Sequence, residues 1–348
     1  MTAGESHAGR FFAIDSRIWA KVTELGTNEA CSYLVLACGT GADNRSTRWA
    51  AKAVNRYAGM RWRRAQASIE NLVRAGIVRH GKEHTKEKPR YELVPFEKGK
   101  PEINKHFVWL PNEIVTGTEG GEASPILKLR GAGDKWALRL FVDLYVAQNL
   151  REDGGVFPSI LKKVFERKQV GQHRQFIVWG FKEKSSVATW TGPLVAHRGR
   201  PKGEEGGDAV WDSISVLEKT GLLSYVPHLM ENDTEQAEPV HPYGTRVGGE
   251  RIEIDIAKAA CAAACSMVPE YAAQNAKDEG FIYLCPVPKA LPAAQLVGIA
   301  RLRYRPHTKL TAAWWGNLQE LGTTMIEYYL KLSAGENLDL LSVRQLLG

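Results

Sequence analysis

Between residues 46 and 96 the spacing of apolar positions changes period twice. Trp49, Ala50, Ala53, Val54 and Tyr57 follow a 3.6-residue repeat behind Ser46 and Thr47, either of which can cap a helix. Gly59 ends that segment, because glycine takes the left-handed conformation without steric cost. A second helix is predicted over residues 61–75. At 100° per residue Trp62, Ala65, Ile69, Leu72 and Val73 fall on one side, and Arg63, Arg64, Ala67, Asn71 and Arg74 on the other. Gly76 stops it. Ile77 and Val78 then open a strand that residues 91–94 can pair with across a charged loop at 81–90. Upstream, Ala30, Tyr33, Leu34 and Ala37 predict an apolar helix over 29–38, broken by Gly39 and Gly41.

Later stretches repeat parts of this pattern. FVWLPNEI at 107–114 echoes FFAIDSRI at 11–18, and SISVLEKTGLL at 213–223 echoes SIENLVRAGIV at 68–78. The offsets, 96 and 145, differ, so a duplicated unit needs an insertion in its second copy, placed at 170–207. Chance similarity between two helix–glycine–strand units is the competing account. Residues 135–148 read as a periodic helix, and Pro158 opens a basic segment, PSILKKVFERK, predicted to be helical with proline in its first turn. Residues 176–181 and 187–190 look strand-like. A polar stretch around 231–249 reads as a domain boundary.

Beyond it, 256–268 and 309–332 are predicted helices, and 281–284 and 296–304 strands. Arg301, Arg303 and Arg305 alternate with Leu302 and Tyr304, so their guanidinium groups share a strand face. Leu310, Trp314, Leu318, Leu321, Met325, Tyr328 and Leu332 form a stripe on the long helix, suited to core packing or to a homodimer contact. The expected fold is α+β: two winged helix-turn-helix domains at 10–98 and 104–232, then a small mixed α/β domain at 250–348.

Charge sharpens the picture. From Arg45 to Arg90 there are 13 Lys or Arg against 3 Glu. The whole chain carries a net +7, and residues 1–100 alone account for +8, so the basicity is local. A basic patch of this kind complements a phosphate backbone, and an arginine-bearing helix fits the major groove. A basic, solvent-facing helix with no nucleic-acid role is the alternative. Residues 158–202 hold a second concentration, 10 basic against 2 acidic, whereas 203–255 invert to 12 acidic against 3 basic.

Other chemistry finds little support. There is no GxxxxGK[ST] phosphate loop, no HExxH or His-x-His spacing and no GxSxG elbow. Cys261, Cys265, Cys285 and His307 can be assembled on paper as zinc ligands, but their spacing matches no common zinc module. No metal or cofactor is therefore expected. Five dispersed cysteines do not form a disulfide framework, and buried reduced thiols are expected at Cys31 and Cys38. No run of 18 apolar residues occurs, and the first ten residues lack a signal-peptide core, so a cytoplasmic protein without membrane contact is expected.

The paired openings FFAIDSRI and FVWLPNEI and the closings SIENLVRAGIV and SISVLEKTGLL resemble the replication-initiator class of plasmid and phage proteins, over about residues 10–230. In that class two winged-helix domains in one chain bind repeated origin sites on double-stranded DNA. The resemblance implies DNA contact by Arg61, Arg63, Arg64, Gln66, Ala67 and Asn71 on the second helix and by Lys86, Lys88 and Arg90 on the wing. Arg45, Arg48, Arg74 and Lys82 join this basic surface. In the second copy the matching helix carries Asp208, Asp212 and Glu218, which leaves Lys162, Lys163, Arg167 and Lys168 to hold phosphates. A transcriptional regulator using the same surface, with a C-terminal dimerisation module, is the alternative; a nucleic-acid-cleaving enzyme built on residues 250–348 is a third reading.

Overall fold

In the computed structural model, which describes residues 11–96, 106–118, 120–151, 154–198, 209–234, 236–336 and 338, the chain divides into two units of different make-up. One comprises residues 1–147, 193–223 and 302–308; the other comprises 148–192, 224–301 and 309–348. The mixed α+β class expected from the sequence is present.

The first unit is mostly helical. β1 (Phe11–Asp15) runs straight into α1 (Ser16–Leu25), capped by the Asp15 carboxylate, which accepts from the Arg17 backbone N–H at 2.9 Å. Gly26 turns the chain into α2 (Thr27–Cys38), buried from Glu29 through Ala37. Around α2 pack α3 (Ala51–Ala58) and α4 (Trp62–Arg74). β2 (Ser46–Thr47), β3 (Val78–His80) and β4 (Tyr91–Leu93) form a three-stranded sheet in the order β2-β4-β3. Ile69 and Leu72 of α4 are 2% and 0% exposed, each burial stabilising by about 1.5–3 kcal/mol. Two polar bridges also cross from α2 to α4, Ser32 Oγ to Ser68 Oγ at 2.6 Å and Asn71 Nδ2 to Glu29 Oε1 at 2.7 Å.

The same unit continues with β5 (Phe107–Pro111), α5 (Glu113–Thr116), α6 (Pro125–Ala132), α7 (Lys135–Val146) and α8 (Ala209–Lys219). The two echoed openings meet here. β1 and β5 pair antiparallel, with Ala13 opposite Trp109 at the centre of the register. A 3-10 turn at Gly192–His197 is held to α7 by His197 Nε2, 3.1 Å from Asp143 Oδ2.

The second unit is built on a six-stranded sheet. β6 (Gln148–Asn149) and β7 (Gly155–Val156) make a small ladder of their own. The long hairpin of β8 (Leu161–His173) and β9 (Phe176–Ala188) joins β10 (Leu223–Met230), β11 (Pro239–Pro242), β12 (Tyr283–Pro288) and β13 (Gln295–Leu302) in the order β11-β10-β13-β8-β9-β12. α9 (Arg251–Met267), α10 (Glu270–Asp278) and α11 (Lys309–Ser333) complete it. Alanines at 257, 260, 263 and 264 give α9 a thin face, and a Cβ on Gly322 of α11 would meet Ile252 Cγ1 at 2.2 Å. Small residues therefore set the close approach of these two helices. Deep in this unit Arg301 Nη1 donates to Glu253 Oε1 at 2.6 Å and Arg301 Nη2 lies 3.0 Å from His228 Nε2.

Several expectations are corrected here. The basic segment 158–168 is not a helix: from Leu161 onward it is strand β8, paired with β9 along its length. Its lysines and glutamate favour a helix locally, but the cross-strand ladder overrides that preference. The segment expected as a polar linker supplies edge strand β11 and the buried Tyr243, whose hydroxyl donates to Leu284 O at 3.0 Å. The sheet thus takes strands from both sides of the expected boundary at 231–249. Arg301 does not share an open face with Arg303, since it is 3% exposed and ion-paired to Glu253, while Arg303 pairs with Glu122 at 2.7 Å. On α11, Trp314, Leu318, Met325, Tyr328 and Leu332 are buried, so most of the stripe belongs to the core. The last part of the expected insertion, 199–207, and Asp208 lie outside the described residues.

Candidate nucleic-acid interface

The turn between α3 and α4 is tightly specified. Gly59 adopts φ +63°, Met60 is fully buried, and Asn55 Nδ2 donates to Met60 O at 2.5 Å. This locks the entry to α4. Its inner side is Ala65, Ser68, Ile69 and Leu72, all buried. Its outer side presents Arg63, Ala67, Glu70 and Arg74 in a row along the axis, with Arg61, Arg64 and Gln66 beside them, all exposed. No side chain caps α4, so its first N–H groups and the positive end of its dipole stay available.

Around this row lie further cations. Arg45, Arg48, Lys52 and Arg56 are exposed on the approach to and along α3. The loop between β3 and β4 exposes Lys82, Lys86 and Lys88. Among the described residues, Arg63, Arg64, Lys82, Lys86 and Lys88 make no ion pair. Arg90 is held 3.6 Å from Glu83, and Arg79 is paired with Glu92 at 2.6 Å. The base of the loop is stiffened by aromatic contacts: the His80 and His84 rings stack at 4.1 Å, and Tyr91 meets His84 edge-on at 5.1 Å. His84 Nδ1 also accepts the Arg90 N–H at 3.0 Å. Burial, and then the Glu70 carboxylate, raise the Tyr91 hydroxyl above its ordinary pKa, which fits a neutral phenol between α4 and the loop.

Two of the sequence-predicted contacts on α4 are already engaged. Asn71 is half-buried and donates to Glu29, and its Oδ1 accepts from Arg74 Nη2 at 2.7 Å. Asn71 therefore acts inside the fold, and Arg74 is steered by it. Two outward residues were missed. Trp62 was assigned to the core face yet is 54% exposed, and Glu70 sits in the centre of the outer row. The helical angles carry the signal for Glu70, which lies on the arginine side once the buried face is centred on Leu72 and Ala65; Trp62 falls nearer the buried side, about 70° from that centre, and its exposure is not legible from the period.

The second basic zone is largely spent within its own unit. Lys163 Nζ donates to Glu183 at 3.0 Å and lies over the Tyr225 ring at 4.9 Å. Arg167 donates to Ala294 O at 2.7 Å and to Pro292 O at 3.1 Å, stacked over Trp179 at 4.6 Å. Lys168 pairs with Glu279 at 2.6 Å. Lys162 is half-buried in β8. On α8, Asp212, Glu218 and Lys219 are exposed, so that helix presents no arginine row.

Burial pushes the Cys31 and Cys38 thiols up to about 12, which keeps them protonated. Cys285 is raised likewise to about 12, with its sulfur 3.5 Å from the Tyr329 hydroxyl. Among the described residues no three His, Cys, Asp or Glu side chains gather as metal ligands would, and no helix is long and apolar enough to cross a membrane. No protein-family model matches the sequence, and neither a curated protein nor a solved structure is significantly similar to the chain.

Proposed function

We propose that this chain binds double-stranded DNA by sequence, in the manner of a replication initiator, and acts in the cytoplasm without catalysis. The observation that carries the reading is the outer row of α4: exposed Arg63 and Arg64 without ion pairs, beside a stiffened loop of exposed lysines. A helix presented by a locked turn, a sheet in the order β2-β4-β3 and a basic hairpin loop are the parts of a winged helix-turn-helix. In this reading α4 enters the major groove, Arg63 and Arg64 meet guanine edges, and Lys82, Lys86 and Lys88 meet phosphates.

A second winged unit is supported by the antiparallel pairing of the two like openings, β1 and β5. Its role is positioning rather than base reading, because α8 exposes Asp212 and Glu218 and carries no arginine. The regulator alternative uses the same surface. Incubating the protein with fragmented genomic DNA and sequencing what it retains tests both. Iterated sites beside a replication start support the initiator, a single palindrome over a promoter supports the regulator, and no enrichment over input defeats sequence-specific binding.

A further inference from the structure

Trp62 is an aromatic residue that the core of its unit does not use. It stands on the first turn of α4 at 54% exposure, while the inner side of that helix is filled by Ala65, Ile69 and Leu72 at 0–2%. Among the described residues its ring makes no aromatic contact, cation contact or hydrogen bond. Its sequence neighbours are the exposed cations Arg61, Arg63 and Arg64. An exposed apolar plane flanked in sequence by Arg61 and Arg63 suits a surface that is anionic at its rim and apolar at one point inside. A lipid or protein partner would be met by a wider apolar patch, but the outer row continues as Ala67, Glu70 and Arg74.

The major groove of DNA has one such apolar point, the C5 methyl of thymine. Building on the DNA reading above, we infer that Trp62 is a specificity-determining residue that packs its indole against a thymine methyl. Arg63 and Arg64 meanwhile hold the neighbouring backbone or guanine edges. The site is therefore expected to require thymine, not merely an A·T pair, at one position.

The test replaces thymine by uracil, one position at a time, in the preferred duplex recovered as above; uracil lacks only the methyl. Wild-type protein is expected to lose about fourfold in affinity at one thymine, the worth of one apolar carbon removed from water. Trp62→Ala is expected to bind the thymine duplex more weakly and to lose the distinction from uracil, measured under conditions where a urea titration shows the variant to be fully folded. Trp62→Phe is expected to keep part of the distinction. An equal uracil penalty in wild type and Trp62→Ala, or a wild type indifferent to uracil everywhere, overturns the inference. If wild type prefers no duplex sequence at all, the DNA reading itself has failed, which is a separate result.

Discussion

Asn71 on α4 gives its amide to Glu29 on α2 at 2.7 Å, across 42 residues of chain. Glu29 is only 9% exposed, so this bond satisfies a carboxylate that water barely reaches. Together with the Ser32–Ser68 bridge one helical turn away, it sets the rotation of α4 about its axis. The outer arginine row is thus aimed by polar contacts on the hidden side of α4.

Asn71→Ala is accordingly expected to destabilise the protein by about 1–3 kcal/mol, the cost of leaving a buried acceptor unpaired. Below its melting transition the variant should rank DNA sites in the same order as wild type. A variant of wild-type stability that has lost its site preference would instead make Asn71 a direct base contact.

On the proposed DNA reading the arginines and the loop lysines are expected to differ in what they meet. Arg63→Ala and Arg64→Ala should each cost about 1–3 kcal/mol on the preferred duplex and little on random DNA. Lys86→Ala should weaken all duplexes alike and lower the slope of log affinity against log salt by about 1. Titrations at several salt concentrations separate the two patterns; uniform loss in all three variants would remove base reading from α4.

Acid is expected to unfold the second unit earlier than carboxylate titration alone would. Burial lowers His241 from 6.5 to about 4, and burial together with the Arg301 charge lowers His228 well below 6.5. In the folded state both stay neutral while the unfolded chain takes up protons below pH 6.5, so stability is complete above that value and falls as pH drops toward 4. His241 alone accounts for about 3 kcal/mol over this window. Urea midpoints between pH 7 and 4.5 measure the effect. A flat profile in wild type, or one equally steep in His241→Gln, would disprove the assignment.

Gly59 sits at φ +63° with Leu127 Cδ1 only 2.8 Å from where a Cβ would stand. Gly59→Ala therefore combines a left-handed backbone penalty with a clash, and a loss of roughly 1–3 kcal/mol is expected. Because this turn presents α4, DNA affinity should fall with it. An unchanged melting temperature would show that α6 yields at no cost.

What local pattern carries was legible in the sequence. α4 lies where its period and its glycines, Gly59 and Gly76, place it, and α9 and α11 lie near their expected limits. The errors arise where distant partners decide. Strand β8 contains LKKVFERK, good helix-forming residues turned into a strand by β9 and β13. The cations Lys163, Arg167 and Lys168 looked free because Glu183, Ala294 and Glu279 are 20, 127 and 111 residues away. Asn71 was taken as a reader because its partner lies on another helix. The helical angle of Trp62 places it with the core side, and only the packed structure shows that side filled by Ala65, Ile69 and Leu72, with Trp62 left 54% exposed.

The ribbon of β1 and β5 has one more consequence. Two like strands paired antiparallel about Ala13 and Trp109 create an approximate rotation axis inside a single polypeptide, with α1 and α5 leaving from opposite ends. Proteins usually obtain such an axis by bringing two copies together, at the expense of translational freedom and with a dependence on concentration. Here the local dyad of the ribbon is present in every molecule at any dilution.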